Sequence, residues 1–168
     1  GHPSGTLVNA LMYRWRGDPD GDGALRFGVV HRLDQGTSGL MVVARTPAAG
    51  EGLQRQFQER TVRKVYLALV VGVPKEDTGR IDRALARHPT DRKRFTGSRA
   101  GGRDARTDWA MVDRGRGISL FAVRIHTGRT HQIRVHLAEE GFPIVGDDLY
   151  GGRWLNRIGN RGEKSICN

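Results

Sequence analysis

Two strand-like runs, ARTDWAMVDRG (105–115) and ISLFAVRIHTG (118–128), meet through Gly115-Arg116-Gly117. A connection that short joins antiparallel neighbours, because a parallel return needs a crossover of about a dozen residues. Any fold this chain adopts must therefore hold an antiparallel pair. A third run, VRKVYLALVVG (62–72), is Val-rich and almost continuously apolar after Tyr66, and it also reads as a strand. Phe27–Val30 and Leu40–Arg45 read as buried strands flanking a polar loop.

Helix signals lie between these runs. Thr6 can cap a short helix with Leu7, Ala10 and Leu11 on one side. Thr46-Pro47, a cap followed by a proline at the first helical position, starts a helix predicted to run to about Arg60, with Leu53 and Phe57 as its apolar stripe. Thr130 can cap a third helix through about Glu140, with Gly141 as its stop. FPIVGDDLYGG reads as a loop with a short extended piece. Strand, helix, strand, strand pair, helix is not a regular βαβ winding. The order predicts an α+β fold with a mixed, mainly antiparallel sheet.

A chain of 168 residues fits one domain. Its 28 Lys and Arg against 18 Asp and Glu leave a net charge of +10, which favours a polyanionic partner, nucleic acid first. From Arg80 to Arg106 nine basic residues face three aspartates, a stretch expected to be a basic loop or loosely ordered hairpin that meets phosphates. Cys167 is the single cysteine, so an intrachain disulfide is excluded and a reducing compartment is expected. With no apolar run of membrane-spanning length and no signal-peptide pattern, the expected location is the cytoplasm and no membrane partner is expected.

Several chemistries fail on spacing. DPDGDG (18–23) copies half of a calcium loop, but its twelfth position is Val29 instead of a bidentate carboxylate. His126, His131 and His136 recur every five residues; on a helix the last two point about 140° apart and cannot share a metal ion. They are better suited to buttressing a basic site or touching RNA. GTSG (36–39) is not a nucleophile elbow, and the glycines form no phosphate loop.

What remains is HRLD (31–34), an arginine and a carboxylate between two apolar runs. A buried Asp needs a cation and hydrogen-bond donors. The plainest reading is a local Arg–Asp pair pinning a loop. Two features argue for more. Tyr66 is an aromatic hydroxyl inside an apolar strand. GRTHQIRVHL (128–137) sets Arg134 beside the inward-facing Ile133 and Leu137 of a helix, where its guanidinium needs an anion. Asp34 is the acid expected to supply it, which leaves Arg32 for a phosphate.

Four blocks, HRLDQGTSGLMVVART, RKVYLALVVG, RHPTDRKRF and TGRTHQIRVHLAEEGFPIVGDDLYGG, occur in this order. Together they resemble the RluA/RluD-type pseudouridine synthases, which isomerise uridine in RNA. The resemblance spans residues 1–152 as a partial catalytic domain, and residues 153–168 form an unmatched tail. It implies a central sheet with a cleft flanked by helices. It implies Asp34 as the catalytic aspartate, Tyr66 against the target base and Arg134 paired with the aspartate. Ile133 and Leu137 become apolar wall residues, and Arg32 helps hold the everted nucleotide. Around them His31, Arg92, Lys93, Arg94, Arg129 and His131 are expected to meet RNA. The family uses no metal and no organic cofactor. RHPTDRKRF leans toward the RluD-like branch, hence large-subunit ribosomal RNA ahead of tRNA, acted on by a monomer. The alternative is a non-catalytic RNA-binding fragment.

Overall fold

The computed structural model describes residues 4–16, 28–98 and 101–151. They fall in two compact units, residues 1–62 and 63–168.

In the first unit, α1 (Leu7–Arg14) begins where Thr6 was expected to cap it. The Thr6 hydroxyl accepts from the Asn9 amide at 3.3 Å, and the Asn9 side chain accepts from the Thr6 amide at 2.9 Å, a reciprocal cap that satisfies two otherwise orphaned donors. The second helix, α2 (Pro47–Gln58), starts at Thr46-Pro47, with the Thr46 hydroxyl accepting from Ala49 N at 3.2 Å. The buried strands expected on either side of HRLD do not form. Val29 and Val43 make one antiparallel bridge, closed by Ala44 N donating to Gly28 O at 2.8 Å. Val29, Leu40 and Val42 are exposed, Leu40 at 97%, while Ala44 is buried. Among the described residues the arms form this single bridge and no ladder. Phe27 and the DPDGDG segment lie outside those residues.

The second unit carries β1 (Lys64–Val71), β2 (Thr78–Asp82), β3 (Leu85–Arg87), β4 (Phe95–Gly97), β5 (Arg106–Arg114), β6 (Ile118–Ile125) and α3 (Gln132–Glu139). Strands β1, β6, β5 and β2 form one sheet in that order, every neighbour antiparallel, and β3 and β4 pair as a separate antiparallel ribbon. Within the stretch expected to be a loop or loose hairpin, residues 80–82 belong to β2 of the sheet and β3 pairs with β4 as a ribbon. Asp91 organises its tip, accepting from Lys93 N through its carboxylate and from Arg94 N through its carbonyl. Among the described residues no helix is long and apolar enough to cross a membrane.

Strand alternation decides which residues meet. Tyr66, Val123, Trp109 and Gly79 lie side by side across the sheet, as do Lys64, Ile125, Thr107 and Ile81. This face is packed: Phe121, Val123 and Leu137 are fully buried, with Ile133, Phe142 and Ile144 packed against the cluster. The continuous apolar run of β1 does not mean burial on both faces. Leu67 is 70% exposed on the opposite side.

Trp109 stacks on Phe121, with ring centroids 4.5 Å apart, and lies opposite Gly79. A methyl at Gly79 would sit 2.5 Å from two indole carbons. The indole is held on its other side and cannot retreat. Gly79→Ala is expected to destabilise the protein by about 1–3 kcal/mol, the usual cost of overpacking. Urea denaturation checks this, and an unchanged midpoint refutes it.

Candidate active site

The HRLD segment is shaped by a turn. Thr37 N donates to Asp34 O at 3.0 Å, and Gly36 takes φ +83°, the left-handed conformation that the third position of a type II turn requires. Asp34 begins this turn and is half-buried. Arg32 is exposed. His31, expected at RNA, is committed locally: its Nε2 accepts from Val42 N at 3.0 Å and its ring stacks on Phe57 at 4.9 Å. It holds the two arms of the loop together.

The second unit builds a site around α3, from a sequence that enters the helix abruptly. The expected Thr130 cap is not used. His131 is the N-cap residue, in the left-handed conformation (φ 56°, ψ 21°), and makes no side-chain cap. Gln132, the first helical residue, ties down the turn that precedes the helix. Its Oε1 accepts from Arg129 N at 3.0 Å and from the Thr127 hydroxyl at 2.7 Å. Its Nε2 donates to Arg106 O and to Thr107 Oγ1, both at 3.0 Å. Thr107 thus accepts from Gln132 and gives its own proton to Nδ1 of His136 at 2.8 Å, which leaves His136 Nε2–H to donate to Arg83 O at 2.9 Å. Every member is satisfied, and His136 is fully buried and neutral. This network locks α3 onto β5.

Burial lowers the His136 pKa below its ordinary value, outweighing the opposing hydrogen bond to Arg83. A depressed folded pKa means that the unfolded chain takes up the proton first. The stability this residue contributes is intact above about pH 6.5 and is lost as pH falls from there toward the folded pKa. The melting temperature is expected to fall between pH 7 and 5 in the wild type, and less steeply in His136→Gln. Parallel curves for the two proteins would exclude this origin.

Past α3 the chain turns at Gly141 (φ +88°), as expected, and drops Phe142 into the core. It then runs along the edge of β1: Val71 N donates to Pro143 O at 2.9 Å and Val145 N to Leu69 O at 2.9 Å. This path returns Asp147 to Arg134. The pair is bidentate, Arg134 Nε to Oδ2 at 2.7 Å and Nη2 to Oδ1 at 2.8 Å. Asp147 Oδ1 also accepts from Leu149 N and Tyr150 N at 3.0 Å. Burial raises the Asp147 carboxyl, but the Arg134 pair and the backbone amides more than offset it and hold the group below the usual carboxylate range. The guanidinium of Arg134 thus has an anion that sequence reading did not name. The available signal was a doubled acid in a glycine-bounded turn, GDDLYGG, soon after the helix.

Tyr150 completes this cluster. The guanidinium carbons of Arg134 and Arg94 lie 5.0 and 5.5 Å from its ring centroid. Its hydroxyl is 2.9 Å from both Phe95 N and His131 Nδ1. Of the residues expected at RNA, Arg94 and His131 are therefore gathered at Tyr150 with Arg134. Arg129 donates through Nε to Asp104 O at 3.0 Å, while Arg92 and Lys93 are exposed at the ribbon tip. Tyr66 and Ile133 pack against the same core. Leu137, expected in the wall, is fully buried and presents no surface to a ligand. Among the described residues no group of three metal-ligating side chains is placed to hold an ion.

Comparison with known proteins identifies the class. The RNA pseudouridylate synthase family profile matches residues 15–139, most of the chain. An RNA pseudouridine synthase of Aquifex aeolicus, itself uncharacterized, is 50% identical over 153 residues, covering 90% of this chain and 48% of that protein. The ribosomal large subunit pseudouridine synthase D of Xanthomonas campestris is 50% identical over 152 residues, covering 90% of this chain and 44% of that protein. Human RNA pseudouridylate synthase domain containing 1 superposes with a TM-score of 0.76 at 32% identity, over 95% of this chain and 64% of the other. The chain belongs to the RNA pseudouridylate synthase family. It spans about half the length of the curated relatives it matches.

Proposed function

We propose that the intact protein converts uridine to pseudouridine in RNA, with large-subunit ribosomal RNA as its substrate. The family match over residues 15–139 carries this reading, because it encloses Asp34, Tyr66 and Arg134 together. The name of the Xanthomonas relative supports the ribosomal substrate, and the +10 charge supports a polyanionic partner.

The reaction breaks the bond from C1′ to N1, turns the uracil and joins C1′ to C5. The proton on C5 leaves and N1 takes one up, so no redox partner is required. The reacting atoms are out of reach in a stacked helix, and the nucleotide must be everted at a cost of a few kcal/mol. In this reading Arg32, Arg92 and Lys93 meet phosphates, and Tyr66 lies against the everted base. Asp34 is the reacting carboxylate, and Arg134 stabilises its charge. Each route open to Asp34, addition to C1′, addition to the base or removal of the C2′ proton, begins from its anion.

The test incubates the intact protein with an in-vitro transcript of a bacterial large-subunit ribosomal RNA carrying tritium at uridine C5. Tritium release with pseudouridine at discrete sites is expected. Binding without release would refute the reading and favour a non-catalytic RNA-binding protein. Within that assay, Lys93→Ala is expected to weaken binding at all sites and to lower the salt slope by about 1.

A further inference from the structure

Tyr150 joins two parts of the second unit that lie far apart in the chain. Its hydroxyl accepts from Phe95 N, at the start of β4 in the basic ribbon, and meets His131 Nδ1 at the entrance to α3. His131 holds a left-handed backbone that an L residue adopts only under constraint, and its ring packs edge-on to Tyr150 and Phe95, both at 5.7 Å. The Tyr150 ring faces the Arg134 and Arg94 guanidinium carbons. Arg94 Nε is buried and finds no hydrogen-bond acceptor, and its guanidinium lies over the Tyr150 ring. The turn holding Tyr150 is built by Asp147, the same carboxylate that clamps Arg134. A methyl at Gly151 would lie 2.5 Å from Asp147 O, so the turn closes too tightly there for a side chain. Burial raises the Tyr150 pKa, and the hydroxyl keeps its proton at neutral pH.

We propose that Tyr150 is a positioning residue with two separable duties: its hydroxyl holds the basic ribbon in register for RNA, and its ring sets the Arg134 guanidinium for the reaction. The inference rests on the function proposed above. The hydroxyl duty acts on binding, which the ground state and transition state share. The ring duty acts on a group that serves the reacting carboxylate and not the RNA backbone. Removing one should raise KM, and removing the other should lower kcat.

The test compares Tyr150→Phe and Tyr150→Leu in the intact protein on the tritiated ribosomal transcript. Tyr150→Phe is expected to raise KM and Kd about tenfold, with kcat within about twofold of wild type, because the half-buried Phe95 amide loses its acceptor and the ribbon its register. Its plot of log Kd against log salt becomes shallower as phosphate contacts are lost. Tyr150→Leu is expected to lower kcat about tenfold in addition. An unmoved Kd and salt slope in the phenylalanine variant, or an unmoved kcat in a folded leucine variant, overturns the proposal. If the leucine variant does not fold, the phenylalanine variant decides alone. A wild-type protein that binds the transcript but makes no pseudouridine overturns the proposed function. In that case the Kd of Tyr150→Phe still judges the hydroxyl, and a tenfold loss keeps that half of the proposal.

Discussion

Asp34→Asn lowers turnover by roughly 10³-fold or more while leaving RNA affinity close to wild type; this is the expected result for a carboxylate that acts on the substrate itself. The amide has nearly the same shape but carries no charge. Asp34 begins a turn closed through its own backbone carbonyl, and that hydrogen bond to Thr37 survives the change. The fold is therefore expected to be unaffected, with a melting temperature matching the wild type. Initial rates of tritium release and Kd on the same transcript measure the two quantities separately. A variant that keeps a tenth of wild-type turnover would remove Asp34 from the chemistry. A variant that loses turnover and RNA binding together would recast it as a loop-pinning residue.

Asp147→Ala is expected to cost about 3 kcal/mol, because taking away one partner of a buried ion pair leaves an uncompensated charge. The Asp147 side chain is 4% exposed and that of Arg134 23%, so water cannot fully replace the lost anion. Leu149 N and Tyr150 N lose their acceptor at the same time. Asp147→Asn keeps an acceptor for those amides and is expected to cost about half as much. Urea denaturation measures both variants, and equal midpoints for Asp147→Ala and wild type would show that the pair contributes nothing. The carboxyl is held below its ordinary range. Its stabilisation is complete above about pH 4 and is lost as pH falls from there toward the folded pKa. This acid window lies below that of His136, so the two are read separately in one pH series.

Much of the architecture was legible because local chemistry produced it. Thr6 and Thr46-Pro47 start helices through hydroxyls three residues from the amides they accept. Gly115-Arg116-Gly117 forces a hairpin, and Gly141 ends α3 where a left-handed residue is needed. The motifs carrying Asp34, Tyr66 and Arg134 were visible for a similar reason, as contiguous blocks. The errors arose where burial or a partner had to be guessed. Apolar runs around HRLD looked like buried strands, yet Leu40 and Val42 are exposed. Thr130 looked like a cap, but Gln132 reaches back to the amide of Arg129.

Sequence by itself determined the antiparallel pair, the helix starts, the positive charge and the family of the chain, since each is written in residues a few positions apart. Tertiary structure alone decided that Arg134 takes Asp147, that Tyr150 gathers the ribbon and α3, and that His136 is sealed in a neutral network. Those choices depend on how the chain returns along the edge of β1, and an ion or hydrogen bond forms with whichever group that path brings within about 3 Å, whatever its distance in sequence.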